Sequence, residues 1–180
     1  MQIREIKIDV NGQELLLRNA TEEDAQILVD YLKVTSSETP FLVREPEEIT
    51  MTLEQEKAFI QNQNESEENL MLVAFLDGEH VGNCSFIGNG MSRYKHRANM
   101  AIALYQKYTG LGIGRIMITE LLAIAKEKGI EQMELEVVAS NEKAIGLYKK
   151  LGFQIFGTFP DNMKYKDGTY TDTYWMMKKL

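Results

Sequence analysis

The sequence predicts a mixed α/β fold, one domain over 1–180 with helices on both faces of a sheet. Three observations lead there. At 180 residues the chain has the length of one domain, for which ~100–200 residues is usual. An apolar fraction of 44% beside 26% charged residues suits a globule with a sizeable core and excludes a wholly disordered chain. Apolar patterns of strand and helix period then alternate along the chain, as in a sheet covered by helices.

The elements follow in order. Ile6, Ile8 and Val10 alternate with polar residues, and Asn11-Gly12 then leads into Leu15 to Leu17. That pattern predicts a β-hairpin, because Asn-Gly supplies the two positive-φ positions of a type I′ turn. Thr21, with Asp24 three residues on, predicts a capped helix over 21–33. Thr52 to Gln61 reads as a second helix after the Pro40 to Pro46 loop. Leu70 to Leu76 and His80 to Ile87 read as strands joined by Asp77-Gly78. Ala98 to Leu104 is nearly continuous in apolar residues, which predicts a central strand. Gly112 to Lys128 reads as a buried helix closed by Gly129, and Met133, Leu135 and Val137 alternate as a strand. Asn141 to Lys150 reads as a helix closed by Gly152. Phe153 onward and Tyr170 to Met177 read as an antiparallel pair around Asp167-Gly168.

Charge narrows the function. The net charge of −7 argues against nucleic acid as the main partner. Resolved along the chain, that charge is an average of two regions. Glu38, Glu45, Glu47, Glu48, Glu54, Glu56, Glu65, Glu67 and Glu68 face only Arg44 and Lys57 in their window. From His80 to Thr119 there is no acidic residue, while Arg93, Lys95, Arg97, Lys107 and Arg115 add positive charge. Such a stretch suits an anionic ligand, and the acidic window suits a cationic one. The single cysteine, Cys84, has no disulfide partner and no Cys/His cluster has metal spacing, so no metal is expected. The expected location is cytoplasmic, with no membrane partner, since no run approaches the ~18 apolar residues of a span.

The segment Leu104 to Arg115 runs from a buried strand into a helix start through Gly110, Gly112 and Gly114. Glycines admit a ligand close to the backbone, and first-turn N–H groups lack partners within the helix. Such a place binds phosphate. Arg115 in the first turn opposes the helix dipole and is better explained by an anion. A Walker loop fails because Arg115-Ile116 follows Gly114. A dinucleotide fingerprint lacks its third glycine, at Met117 or Arg115 depending on the register, though Glu136 mimics the ribose-binding acid.

Thr109 to Gly114 closely resembles the Gln/Arg-x-x-Gly-x-Gly/Ala signature of the GCN5-related N-acetyltransferases. Ser140-Asn141-Glu142-Lys143-Ala144-Ile145-Gly146-Leu147-Tyr148 through Gly152-Phe153 is similar to that family's second segment, and the tail Asp167 to Asp172 to its ribosomal-protein-acetylating branch. The resemblance implies a mostly antiparallel central sheet and a ternary-complex N-acetyltransferase. Its acetyl-CoA would lie against Ile102, Ala103 and Leu104. The pyrophosphate would sit on the amides of Thr109, Gly110, Leu111, Gly112, Ile113, Gly114 and Arg115. Asn141 would contact the pantetheine arm and Tyr148 would act as general acid at the sulfur. Thr109 departs from the family's Gln or Arg, which puts one phosphate contact in doubt.

The acceptor implied is a primary amine: a small molecule, a polyamine or a peptide N-terminus. The motifs name no base. Glu38, in the Ser36 to Phe41 loop, is the first candidate, and Glu134, Glu136 and Asp172 follow. A non-catalytic acyl-CoA-binding module and a dinucleotide-binding oxidoreductase remain as alternatives. Cys84 reads as a buried inert thiol, and the C-terminal strands, rich in Tyr and Met, offer a homodimer surface.

Overall fold

The computed structural model describes all residues, 1–180. Its elements are β1 (Ile6–Val10), β2 (Gln13–Asn19), α1 (Ala25–Glu38), α2 (Leu53–Glu65), β3 (Asn69–Leu76), β4 (Glu79–Ile87), β5 (Arg97–Leu104), α3 (Ile113–Glu127), β6 (Gln132–Val138), α4 (Glu142–Lys150), β7 (Gln154–Lys164) and β8 (Tyr170–Lys179). One eight-stranded sheet runs in the order β1-β2-β3-β4-β5-β6-β8-β7. Every neighbouring pair is antiparallel except β5 with β6. The mixed, mostly antiparallel sheet is therefore as expected.

The local signals explain the element starts. Asn11 and Gly12 both take positive φ, as the hairpin turn requires. Thr52 Oγ1 accepts the Gln55 N–H at 3.2 Å while Gln55 Oε1 accepts the Thr52 N–H at 2.9 Å, a reciprocal capping box. Asp24 accepts the Thr21 N–H at 2.7 Å and also holds Arg18 at 2.6 and 2.9 Å. The first turn there is a short 3-10 segment, Glu22–Asp24, and α1 proper starts at Ala25.

The expected end of α1 at residue 33 is too early by more than a turn. The hydroxyls of Thr35 and Ser37 donate back to the carbonyls of Tyr31 and Val34 at 2.7 Å each, and the helix runs on to Glu38. Glu38 is thus the last helical residue and does not lie in a loop.

Layers form on both faces. One face of β3, with Leu70, Leu72 and Ala74, joins α3 and α4 residues such as Met117, Leu121 and Ile145 in the large core. The other face, with Met71 and Val73, meets Leu28 of α1 and Ile60 of α2. β3 is the strand buried on both faces, which explains its unbroken apolar run. β5 departs from that expectation: Ala98 and Met100 are buried, but Asn99 and Ala101 are exposed. No helix is long and apolar enough to cross a membrane.

Candidate active site

The sheet opens at its one parallel pair. β5 and β6 are in register only at Arg97↔Gln132, Ala98↔Met133 and Asn99↔Glu134. Beyond that point β5 stays on β4 as far as Gly82↔Leu104, and β6 stays on β8 as far as Val138↔Thr173. A gap therefore widens between Met100–Leu104 and Leu135–Val138. Tyr105 donates its N–H to the Val81 carbonyl at 3.1 Å. Backbone groups alternate in direction along an antiparallel strand, so Ala101 and Ala103 address β4, while Ile102 and Leu104 address the gap. The close approach depends on Gly82, where a Cβ would stand 2.5 Å from the Ala103 carbonyl oxygen. The Tyr31 hydroxyl donates to that same oxygen at 2.8 Å and ties α1 to β5.

Past β5 the chain makes a 3-10 turn, Gln106–Tyr108, and then the glycine loop. Gly110 and Gly112 adopt φ of 86° and 85°, a conformation costly for any residue with a Cβ. Through it, the N–H groups from Gly110 to Arg115 are left without any acceptor in the protein. Thr109 differs from the expectation: its N–H already donates to the Gln106 carbonyl at 3.0 Å. At Gly114 a Cβ would lie 3.5 Å from Leu104, 3.8 Å from Leu147 and 3.9 Å from Ile102, an ordinary contact. β5, α3 and α4 thus converge on the loop.

The acid-free stretch needs a correction. Arg93, Lys95 and Arg97 lie at or before the far end of β5, about 23 Å along the strand from Leu104. Arg97 also pairs with Glu134 at 3.1 Å, and Lys107 with Glu79 at 2.5 Å. The charge beside the loop comes instead from Arg115 and from Lys143, whose Nζ donates to Thr109 Oγ1 at 2.9 Å. Lys143 sits in the first turn of α4, where a cation opposes the helix dipole. The reasoning that singled out Arg115 applies equally to it, but its distance along the chain hid it.

Asn141 caps α4: its Oδ1 accepts the Ala144 N–H at 3.2 Å, which leaves the side-chain NH2 free to donate. Tyr148, about two turns beyond that cap, is 9% exposed and packs edge-to-face on Phe153 at 5.9 Å. Burial pushes its hydroxyl up to about 12. It stays a neutral donor across the working pH range.

The carboxylates sort by their partners. Glu38 Oε2 accepts the Gln106 N–H at 2.7 Å and so caps the 3-10 turn from the end of α1. Glu134 is 2% exposed and committed to Arg97 and to Gln132 Nε2. Asp172 Oδ1 accepts the Asp161 N–H at 2.9 Å. Glu136 is different, being exposed on the wall of the gap and turned away from the α3–α4 core that Leu135 and Val137 enter. Asn162 Nδ2 donates to Glu136 Oε1 at 2.6 Å and to Thr173 Oγ1 at 2.8 Å. Asn162 reaches them because β7 bulges between Phe159↔Thr173 and Met163↔Thr171. Pro160-Asp161-Asn162 inside a strand was the available signal, with Asp161 at φ 51°.

Two other expectations resolve. Burial pushes the Cys84 thiol up to about 12, and it is inert. The dinucleotide reading fails on topology, since that fold needs a mostly parallel sheet and β5–β6 is the one parallel pair.

Comparison with known proteins agrees with this geometry. The model of the acetyltransferase (GNAT) family matches residues 31–153. The chain is 31% identical over 110 residues to the L-amino acid N-acetyltransferase AaaT of Escherichia coli, covering 59% of this chain and 66% of that protein. It is 40% identical over 52 residues to the [ribosomal protein bS18]-alanine N-acetyltransferase of Haemophilus influenzae, 29% of this chain and 35% of that one. The chain thus spans no more than about two thirds of the length of these curated relatives. A crystal structure of a GNAT-family acetyltransferase from Streptococcus pneumoniae superimposes with a TM-score of 0.88 at 31% identity, covering 93% of this chain and all of that one. With the motifs, the parted strands and the family model in agreement, the chain belongs to the GCN5-related N-acetyltransferase family.

Proposed function

We propose that this protein, as one domain over 1–180, transfers the acetyl group of acetyl-CoA to the α-amino group of an amino acid or peptide. The observation that carries the reading is the gap between β5 and β6. It has ladder-free N–H groups at Ile102 and Leu104 and an unpaired amide loop, Gly110 to Arg115, at its mouth. These donors fit a polyanionic acyl donor: the loop amides suit the pyrophosphate, and the strand edge suits an extended, amide-bearing arm. Bound there, acetyl-CoA supplies a thioester carbonyl as the electrophile.

The chain's own groups do the rest. The Leu104 N–H, aimed into the gap, is placed to hold the carbonyl oxygen as negative charge develops, worth about 3–4 kcal/mol at such sites. Glu136 accepts a proton from the incoming ammonium, directly or through one water, and Asn162 fixes its carboxylate. Glu38 keeps its capping contact and is replaced by Glu136 as the candidate base. Tyr148 donates a hydrogen bond to the departing sulfur. Full transfer from a phenol near 12 to a thiolate near 8.5, if it resembles cysteine, is about 5 kcal/mol uphill, so Tyr148 keeps its proton and stabilises the leaving thiolate by that hydrogen bond alone.

An α-amine suits this site better than an alkyl amine. At pH 7 roughly a tenth of a peptide's α-amine is neutral, against about 0.04% for a lysine-type amine. Both curated relatives named above act, by their names, on amino acids or a protein alanine. A homodimer through edge strand β7, where Ile155 and Phe156 stay exposed, is part of the proposal, and a monomer in sedimentation would remove it.

The test is thiol release from acetyl-CoA across a panel of free amino acids, peptides and polyamines. Turnover with α-amines is expected. CoA binding with no turnover of any amine would favour a non-catalytic acyl-CoA-binding module.

A further inference from the structure

We infer that Lys143 is a CoA-pyrophosphate ligand held in place by Thr109, so that two residues together do what one Gln or Arg side chain would do. The inference rests on the proposed acetyl-CoA reading and adds to it a residue outside the glycine loop. Three observations carry it.

The Thr109 hydroxyl is engaged both as donor and as acceptor. It donates to the Gln106 carbonyl at 2.9 Å and accepts from Lys143 Nζ at 2.9 Å. Its N–H also goes to Gln106. With both its hydroxyl and its amide engaged, Thr109 is a bracket for Lys143. Next, Lys143 Nζ stands 4.0 Å from where a Cβ on Gly110 would be, at the entrance to the unpaired N–H groups. A residue with a Cβ at Gly110 would be strained by its backbone, at φ 86°. Last, the ammonium has no carboxylate partner, unlike Lys7, Lys107 and Lys166, each of which holds a glutamate.

An unpaired cation fixed in the first turn of α4 is unfavourable for that helix and favourable for an anion on the adjacent loop. Lysine carries three N–H donors, and the Thr109 oxygen takes one. The other two are available to a phosphoryl oxygen. Because the cation is a point charge on an exposed stem, it should strengthen donor binding without touching the acetyl group.

Calorimetry with CoA and with dephospho-CoA, on wild type and on Lys143→Met, Thr109→Val and the double variant, tests this. Lys143→Met is expected to weaken both ligands about tenfold at low salt, with the wild-type advantage shrinking as salt rises. Thr109→Val should cost less, and nothing further once Lys143 is gone, because its effect passes through the lysine. Equal CoA affinity for wild type and Lys143→Met would overturn the inference. So would a loss seen with CoA but not dephospho-CoA, which would place Lys143 at the 3′-phosphate, or additive losses from the two variants. Failure of the wild type itself to bind CoA is a separate outcome and would instead remove the acetyl-CoA reading.

Discussion

The two sides of the gap are built in different ways. On the side proposed for the donor, β5, the glycine loop and α3 form one continuous stretch that offers backbone N–H groups. The side proposed for the acceptor gathers Glu136 from β6, Asn162 from the β7 bulge and Thr173 from β8, and offers side chains. On the proposed reading, donor binding rests mainly on the path of the main chain, with Lys143 adding one side-chain contact. Activating the acceptor depends on a few side chains placed by long-range strand pairing. Each variant below should therefore affect one side and spare the other.

The largest separation is expected at Glu136. Glu136→Gln should lower turnover by about 10²–10⁴-fold while calorimetric affinity for acetyl-CoA stays within error. A parallel loss of donor affinity would erase the distinction between the two sides. Tyr148→Phe comes next. Losing one hydrogen bond to a thiolate should reduce kcat by about 10–100-fold, with little effect on acetyl-CoA binding. Unchanged turnover would take Tyr148 out of the chemistry.

Gly112→Ala probes the backbone side. Holding a Cβ-bearing residue at φ 85° costs about 1–2 kcal/mol, so acetyl-CoA affinity should fall roughly tenfold or the loop should relax. Saturated kcat should change far less than in Glu136→Gln.

These contrasts explain what could be read from the sequence. The glycine loop and the cap of α4 were legible because Gly110, Gly112 and Asn141 lie in short segments whose spacing carries the geometry. The hairpin and the capping pair Thr21 and Asp24 were legible for the same local reason. The acceptor side was not. Glu38 looked available in a supposed loop, but back-bonded Thr35 and Ser37 carry α1 onward and deliver its carboxylate to Gln106. Glu136 gained its partner across β8 through the β7 bulge, and although Pro160-Asp161-Asn162 marks a break in that strand, no local pattern names the residue the break reaches. Summing charge along a window also misled, because a strand carries Arg97 and Leu104 to opposite ends of the site.

The smallest expected effect is on stability and lies behind β5. His80 is 2% exposed among Tyr31, Phe75 and Tyr105, with Nε2 on Asn83 Oδ1 at 2.7 Å and Nδ1 unpaired. Burial holds its pKa below the usual 6.5. The unfolded chain then binds the proton more readily, so this contribution is complete above about pH 6.5 and is lost as pH falls below it. Denaturant titrations from pH 7.5 to 5 should show wild type losing stability faster than His80→Phe. Parallel profiles would clear His80 of that role.

The central claim is that the acyl donor is held by main-chain N–H groups along the parted strand and the glycine loop. It is tested most directly by following backbone amide resonances during a titration with acetyl-CoA. The account predicts the largest shifts at Gly110 to Arg115 and at Ile102 and Leu104, with Ala101 and Ala103, which face β4, moving little. Binding with those amides unmoved, or with shifts centred elsewhere on the sheet, would contradict it.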